Sequence, residues 1–244
     1  MKITFLGTAD GLPRKGRYCS CTMLEVGETI YFVDVGAPIA DLIANRDDIE
    51  YERIKALFIT HPHGDHHGGL PMFLSLEKWH HPDSKTQCYL PDKLIYNAVE
   101  PILAESPNDS NTNVKLHLFN EGKFYDDGVL TVEAIPNDHL KHVGRHSYGF
   151  KITAEGKKLL FTGDLTADMH DFPEVAFSEK FDLIVTECAH AKPQTLEEKL
   201  SRAKTDMAVI NHIWPNEKMD YLGALDGKFG YKIIIGKDND VVNL

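Results

Sequence analysis

Three histidines and an aspartate fall within six positions of one short segment. The segment His61-Pro62-His63-Gly64-Asp65-His66-His67-Gly68-Gly69 follows an apolar run and has the spacing His-x-His-x-Asp-His. Imidazole and carboxylate groups suit zinc and similar divalent ions. This segment, which we call the signature loop, can offer two histidines to one ion, and an aspartate and a histidine to a second. A solvated His-rich loop is the alternative, and the apolar run before the segment and the Gly-Gly-Leu at its end disfavour it.

Three later apolar segments also end at residues that can bind metal. Leu159 to Asp164 ends in a carboxylate that could bridge two ions, whereas Val132 to His139 and Ala208 to His212 each end in an imidazole. A single His or Asp at a strand end is more often a cap or a surface group. With the signature loop, however, there are four strand ends of this kind, as a metal site at one edge of a sandwich requires.

The elements that must position these residues are short strands with helices between some of them. Lys55 to Thr60 predicts a strand that leads into the signature loop, and Gly69 to Trp79 a helix that leaves it. The polar stretch Ser106 to Asn113 is the best loop candidate. The strands come in blocks rather than in strict βα alternation, which favours an α+β fold of two mixed sheets with helices outside over a doubly wound parallel sheet.

The composition is that of an acidic globular protein. The 244 residues include 26 Lys+Arg and 37 Asp+Glu, which gives a formal net charge of −11, and 42% are hydrophobic. These values exclude a disordered chain, a collagen and a disulfide scaffold. The charge argues against a protein that binds long nucleic acid over its whole surface, because binding to the phosphate backbone depends on Lys and Arg.

The cysteines and the N-terminal residues indicate a cytoplasmic protein. Four scattered cysteines are too few for a stapled secreted domain, and we expect them to be reduced. The apolar run Ile3 to Leu6 is too short for the core of a signal peptide, and no stretch reaches the length of a membrane span.

The motifs resemble the metallo-β-lactamase superfamily of metallohydrolases over essentially the whole chain. The signature loop matches that family's signature, and the opening segment Phe5 to Pro13 looks like the tRNase Z and phosphodiesterase branch. The resemblance implies a single hydrolase domain over residues 1–244, folded as a four-layer αββα sandwich. It also implies two divalent ions, usually zinc, with manganese or iron as alternatives. The ligands carried over are His61, His63 and His139 for the first ion, Asp65, His66 and His212 for the second, and Asp164 as the bridge.

Three residues of the sequence are expected to assist catalysis. Asp65 can accept a hydrogen bond from the nucleophile. A Glu at the strand end equivalent to Glu187 is paired with a His in the branch, so Glu187 is expected to orient a metal-ligand histidine, and His190 to donate a proton to the leaving group. The alternative is that Glu187 and His190 make structural bonds only.

Two features depart from the tRNase Z pattern. The branch typically carries a long arm for tRNA between the third His and the bridging Asp, whereas only Leu140 to Gly163 lies between His139 and Asp164 here. The third His itself has a rival in His142, which stands closer to the following Tyr-Gly-Phe element. Without the arm, and at this net charge, a smaller substrate than tRNA is expected.

The sequence therefore predicts a dinuclear hydrolase that activates water to cleave a small or cyclic phosphodiester. A thioester or lactone hydrolase is a second hypothesis, since the same ions polarise a carbonyl group. A non-catalytic metal-binding module is a third, although none of the seven expected ligands is missing. The partner expected is a small-molecule substrate, neither long nucleic acid nor a membrane, and a homodimer is left open.

Overall fold

The structure, a computed structural model, describes residues 1–103 and 113–244. The chain divides into two units, each of which contains one seven-stranded mixed sheet. Unit 1 comprises Met1–Gly7, Gly11–Phe119 and Asp238–Asn243, and unit 2 comprises Thr8–Asp10, Asn120–Lys237 and Leu244. The two mixed sheets with helices that the strand pattern predicts are thus confirmed.

The elements of the described residues are numbered along the chain. The strands are β1 (Lys2–Gly7), β2 (Cys21–Val26), β3 (Thr29–Val33), β4 (Ile54–Phe58), β5 (Gln87–Leu90), β6 (Lys115–Leu118), β7 (Gly122–Asp126), β8 (Leu130–Pro136), β9 (Tyr148–Ala154), β10 (Lys157–Phe161), β11 (Leu183–Cys188), β12 (Met207–Ile213), β13 (Lys232–Ile235) and β14 (Asp240–Asn243). The helices are α1 (Ile39–Ala44), α2 (Gly64–His67), α3 (Leu70–His80), α4 (Lys93–Leu103), α5 (Val175–Ser178), α6 (Pro193–Arg202) and α7 (Lys218–Gly223).

The sheet of unit 1 has the strand order β14-β1-β2-β3-β4-β5-β6. Its strands pair antiparallel from β14 to β3 and parallel from β3 to β6. The parallel pair β3 and β4 ends in register, with Val33 opposite Phe58. The residues that follow these two strands therefore leave the sheet side by side, and they include the signature loop after β4.

The sheet of unit 2 has the strand order β13-β12-β11-β10-β9-β8-β7. It is antiparallel from β7 to β10 and parallel from β10 to β13. Glu155 and Gly156 join β9 to β10, and both have positive φ, as the tight turn of a two-residue hairpin of the I′ type demands. Every residue of β11 is buried, which is typical of a parallel strand covered on both faces.

Each unit has its own hydrophobic core on which its helices pack. In unit 1, Ile39 of α1, Phe73 of α3 and Ile95 of α4 are buried with Leu57 of β4. In unit 2, Leu196 and Leu200 of α6 and Leu222 of α7 are buried with Ile184 and Ile210 of the parallel strands. Apolar positions of α6 four residues apart thus share one buried face.

Most of the predicted elements agree with the observed ones. The predicted helix Gly69 to Trp79 is observed as α3, whereas β6 and β7 were not predicted. The loop predicted over Ser106 to Asn113 lies outside the described residues except for Asn113. All four cysteines are unbridged and buried. Within the ranges the structure describes, no helix is both long and apolar enough to cross a membrane.

Candidate metal centre

The signature loop brings four metal-type side chains together in unit 1. His61 is the third residue after β4, and the short helix α2 carries Asp65 and His66. His66 Nε2 lies 3.4 Å from Asp65 Oδ2, and the rings of His61 and His66 are 4.1 Å apart between centroids. His61 and His66 are buried, whereas His63 is exposed. Donor atoms of His61 and His63 approach within 4.8 Å of each other.

A buried aspartate, Asp34, orients the histidines of the signature loop. It follows β3 directly, and its Oδ2 lies 2.7 Å from His66 Nδ1. Its Oδ1 accepts hydrogen bonds from the backbone N–H and the hydroxyl of Thr60, at 2.8 and 2.9 Å. The Thr60 hydroxyl is in turn 3.0 Å from His61 Nδ1. Contacts of this kind at Nδ1 fix the tautomer and turn Nε2 toward a ligand. Sequence reasoning missed Asp34, although an Asp after an apolar strand is the same signal that identified Asp164.

Backbone contacts hold the signature loop against the segment that follows β3. Val35 N–H donates to His66 O at 2.8 Å, and Gly69 N–H donates to Val35 O at 2.9 Å. A Cβ on Gly36 would lie 2.3 Å from Asp65 O, so that only glycine fits there. Gly11 N–H also donates to Asp65 Oδ2, at 3.0 Å. The loop is therefore fixed through its main chain as well as through its rings.

In unit 2, three imidazoles converge on the carboxylate of Asp164. Asp164 Oδ2 lies 3.3 Å from His212 Nε2, 3.9 Å from His139 Nε2 and 4.0 Å from His190 Nε2. Asp164 comes after β10 through Gly163, whose φ is +63° and where a Cβ would meet Tyr148 O at 2.5 Å. Donor atoms of Asp164, His190 and His212 all lie within 4.8 Å of one another. These residues are therefore able to hold a metal ion.

A β-bulge directs the His212 side chain. The pairing of β11 with β12 runs from Glu187 opposite Asn211 to Cys188 opposite Ile213, so His212 is the extra residue. Its φ is +47°, and its N–H donates to Thr8 O at 3.0 Å instead of to the neighbouring strand. Bulges commonly re-aim a side chain beside a functional site. Such a backbone costs roughly 1–3 kcal/mol, which the surrounding contacts must offset.

The buried Glu187 binds the His190 ring and the backbone around it. Its Oε1 lies 3.0 Å from His190 Nδ1 and accepts the N–H of Leu165 at 3.1 Å. Its Oε2 accepts the N–H groups of Ala189 and His190. The carbonyl of Leu165 in turn lies 3.3 Å from Nδ1 of His139. One carboxylate thus connects the segments that carry Asp164, His139 and His190.

The structure separates the two rivals for the third His ligand. His139 is part of the group around Asp164, whereas His142 lies in the 3₁₀ helix Lys141–Val143 and is exposed. In the part of the chain that the structure describes, His142 belongs to none of the groups of side chains that could hold a metal ion.

A second aspartate that the sequence did not indicate, Asp171, joins the loops that carry His139 and Asp164. Asp171 Oδ2 accepts the N–H of Asp138 at 2.9 Å, and its Oδ1 accepts the N–H and the hydroxyl of Thr166 at 3.1 and 2.7 Å. His170 is the neighbour of Asp171 in the sequence and forms a hydrogen bond with Asp168. This bond lowers the pKa of the Asp168 carboxyl to about 2 and raises the pKa of the His170 imidazole.

Cys19, in the segment between β1 and β2, has a neutral thiol. Burial raises the pKa of Cys19, and the negative charge of Asp65 raises it further. Among the described residues, the groups of side chains that could hold a metal ion contain only imidazoles and carboxylates.

Comparison with known proteins shows the family. A model described as anti-Pycsar protein Apyc1 matches residues 1–210. The chain belongs to the anti-Pycsar protein Apyc1 family. This Apyc1-family chain is 29% identical to ribonuclease Z of Picrophilus torridus over 173 residues, which is 71% of the chain and 53% of that protein. The chain thus spans about half the length of the ribonuclease Z proteins it matches.

Solved structures resemble the Apyc1-family chain over its whole length. Human tRNase Z, short form, has a TM-score of 0.73 at 20% identity, covering 100% of this chain and 99% of that one. The metallo-β-lactamase fold protein YhfI from Bacillus subtilis has a TM-score of 0.77 at 18% identity, covering 99% of each chain. The predicted superfamily, its tRNase Z and phosphodiesterase-like branch and the metallo-β-lactamase fold are confirmed. The prediction of a hydrolase agrees with relatives that are themselves named as nucleases.

Proposed function

We propose that the chain is a metal-dependent hydrolase of a small or cyclic phosphodiester. The observation that carries this proposal is the convergence of His139, His190 and His212 on Asp164. The Nδ1 atoms of His139 and His190 contact a carbonyl and a carboxylate, and contacts of this kind orient the Nε2 atoms of both rings toward Asp164. In this proposal, residues 1–244 work as one hydrolase domain, in the cytoplasm, where buried reduced cysteines are the norm.

The donor set fits two divalent ions, and zinc is the metal we propose. Imidazole nitrogen and carboxylate oxygen are common zinc ligands, and they also suit manganese and iron. When bound, such ions supply a hydroxide nucleophile near neutral pH and polarise the phosphoryl oxygen. The proposed ligands are those that the family resemblance implies: His61, His63 and His139 for one ion, Asp65, His66 and His212 for the other, and Asp164 as the bridge.

The protein's own groups then move the protons. Asp65 is proposed to accept a hydrogen bond from the attacking water, while Gly11 N–H holds its Oδ2. As the bond from phosphorus to the leaving oxygen breaks, His190 Nε2 gives its proton to that oxygen. The Glu187 carboxylate at Nδ1 stabilises the protonated ring before transfer and fixes its orientation. Glu187 is therefore proposed as a positioning residue rather than as a proton donor.

The substrate class follows from the relatives and from charge. Ribonuclease Z and tRNase Z are named for RNA, whose backbone is a phosphodiester. The net charge of −11 disfavours a long polyanion. The segment between His139 and Asp164 consists of one 3₁₀ turn and the β9–β10 hairpin, which leaves no arm for a large RNA. A small or cyclic phosphodiester satisfies both constraints.

Metal analysis paired with turnover tests the proposal. Protein purified without added metal is analysed for zinc, manganese and iron, then assayed on bis(p-nitrophenyl) phosphate, a panel of cyclic nucleotides, and thioester and lactone substrates. We expect about two metals per chain, turnover of phosphodiesters, and loss of both metal and turnover in Asp164→Ala. Turnover of thioesters or lactones alone would move the activity to carbonyl chemistry. An absence of bound metal, even after reconstitution, would overturn the proposal.

A further inference from the structure

Lys218 binds three backbone carbonyls of the loop that carries His190. Its Nζ donates to Cys188 O at 2.8 Å, Ala189 O at 3.1 Å and Ala191 O at 2.8 Å. These carbonyls belong to the residues on either side of His190. An ammonium group has three N–H donors, so all of them are used on this one loop.

Glu187 binds the N–H groups of the same loop, whereas Lys218 binds its carbonyls. The carboxylate accepts the N–H groups of Ala189 and His190, while the ammonium of Lys218 accepts nothing and donates to the carbonyls. A loop whose N–H groups meet an anion and whose C=O groups meet a cation has little freedom to tilt. The Glu187 carboxylate and the Lys218 ammonium therefore together fix the orientation of the His190 ring.

The position of Lys218 makes it a rigid anchor. It is the first residue of α7, whose Leu222 is buried in the core of unit 2, and its N–H donates to Pro215 O at 3.1 Å. Residue Lys218 is only partly exposed, and among the described residues it forms no ion pair, whereas Lys151 pairs with Glu179 and Lys157 with Asp182. Withdrawing a lysine from water for neutral carbonyls alone costs free energy, which points to a role in shaping the loop.

We propose that Lys218 is a positioning residue for His190 as the acid that protonates the leaving group. It keeps the His190 ring where its Nε2 stands 4.0 Å from Asp164 Oδ2. The inference rests on the proposed function, because it assigns Lys218 to the proton-transfer step of that site. The step breaks the bond from phosphorus to the leaving oxygen and transfers the Nε2 proton of His190 to that oxygen.

The nature of the leaving group distinguishes this role from a general effect on the site. p-Nitrophenolate leaves without a proton, whereas an alkoxide, such as the leaving group of a cyclic nucleotide, needs one. General acids contribute typically about 10²–10⁴-fold to rate. Misplacing such a group by about 1 Å costs roughly 10²-fold. Loss of Lys218 should therefore slow alkoxide-releasing substrates and spare p-nitrophenyl esters.

The test compares Lys218→Met with Lys218→Arg on the metal-loaded enzyme. We expect kcat for an alkoxide-releasing phosphodiester to fall about 10²-fold in Lys218→Met, with KM, metal content and kcat for bis(p-nitrophenyl) phosphate within about threefold of wild type. Lys218→Arg, which keeps the charge and the donors, should recover part of the loss. Lys180→Met removes an exposed ammonium that pairs with Asp206 and serves as the control, expected to match wild type on both substrates.

His190→Ala separates failure of the inference from failure of the proposed function. If His190→Ala loses alkoxide substrates selectively and Lys218→Met does not, the inference is wrong and the acid role of His190 stands. If His190→Ala shows no selectivity, the acid role itself is wrong. Equal losses on both substrates in Lys218→Met would also overturn the inference.

A readout that does not depend on activity completes the test. In metal-free protein, hydrogen exchange of the Ala189 and His190 amides should quicken in Lys218→Met and remain unchanged in Lys180→Met. Should Lys218→Met fail to fold, Lys218→Gln keeps two N–H donors without the charge and is measured in the same way. Unchanged exchange in a folded variant that lacks the ammonium would overturn the proposal.

Discussion

Asp34 Oδ2 lies 2.7 Å from His66 Nδ1, and both side chains are buried. The two residues are far apart in the sequence, and they meet because β3 and β4 are parallel neighbours that end in register. The Asp34 carboxylate contacts Nδ1 of the His66 ring and thereby restricts rotation of the ring. The direction in which Nε2 points is fixed as a result. In metal sites generally, a carboxylate that orients a histidine ligand in this way contributes to metal affinity.

We expect Asp34→Asn to weaken metal binding about 10- to 100-fold, the range typical for loss of such a partner. Asparagine tolerates the positive φ of +59° at this position, so the variant tests the charge rather than the backbone. Competition with a chromophoric chelator measures the affinity. Asp41→Asn, on the exposed face of α1, is the matched control. Equal affinities in wild type and Asp34→Asn would show that the carboxylate has no such role.

His139 and His142 should respond differently to substitution. His139→Ala removes a nitrogen from the group around Asp164 and should reduce both metal content and turnover by at least about tenfold. His142→Ala, at an exposed position of the 3₁₀ turn, should change neither. Elemental analysis and turnover of the two variants, purified side by side, decide the matter. The reverse pattern would make His142 the ligand.

Asp171→Ala should loosen the two loops that carry His139 and Asp164. It removes acceptors for the N–H groups of Asp138 and Thr166, and we expect roughly a tenfold loss of metal affinity with the overall fold retained. Asp206→Ala removes an exposed carboxylate of the same unit and should bind metal as wild type does. Chelator competition and circular dichroism are the measurements. A variant with unaltered affinity would assign Asp171 to loop stability alone.

Glu77 should make the stability of the protein depend on pH. It is completely buried on α3, and burial raises its pKa to about 7, although a hydrogen bond from Ser84 opposes the rise. The folded state then holds a proton that the unfolded state has lost above pH 4.5. The stability contribution of this group is therefore complete below pH 4.5 and is lost as the pH rises through about 7.

Glu77→Gln should remove this dependence. Because the pKa rises from 4.5 to about 7, the variant should gain up to about 3 kcal/mol relative to wild type between acidic and alkaline pH. Urea unfolding of the metal-free protein at several pH values measures the difference, and Glu198→Gln, exposed on α6, is the control. Parallel pH profiles for wild type and Glu77→Gln would contradict the assignment.

The sequence predicted the candidate donors better than it predicted what surrounds them. His61, His63, Asp65 and His66 are recognisable because four ligand-type residues crowd into one short loop after an apolar strand. Their residue types and spacing are sufficient to identify them as candidate metal ligands from the sequence alone.

The residues that position the candidate donors could not be predicted in this way, because each contacts backbone groups that only the tertiary structure brings close to it. Asp171 and Lys218 look in the sequence like ordinary charged residues of a polar turn and of a short helix. Their roles depend on backbone groups that lie up to 33 residues away along the chain. The strands β6 and β7 escaped prediction for a related reason, since they are short and partly exposed and therefore lack a clear apolar alternation.

The bulge at His212 bears on how such a chain can change over generations. A regular ladder between β11 and β12 would need one residue fewer, because Cys188 already pairs with Ile213. Deletion of a single codon at position 212 would leave an unbroken sheet without its histidine. The pairing of β11 with β12 does not use this residue, so descendants of such a gene can keep the architecture while losing the proposed metal ligand in one step.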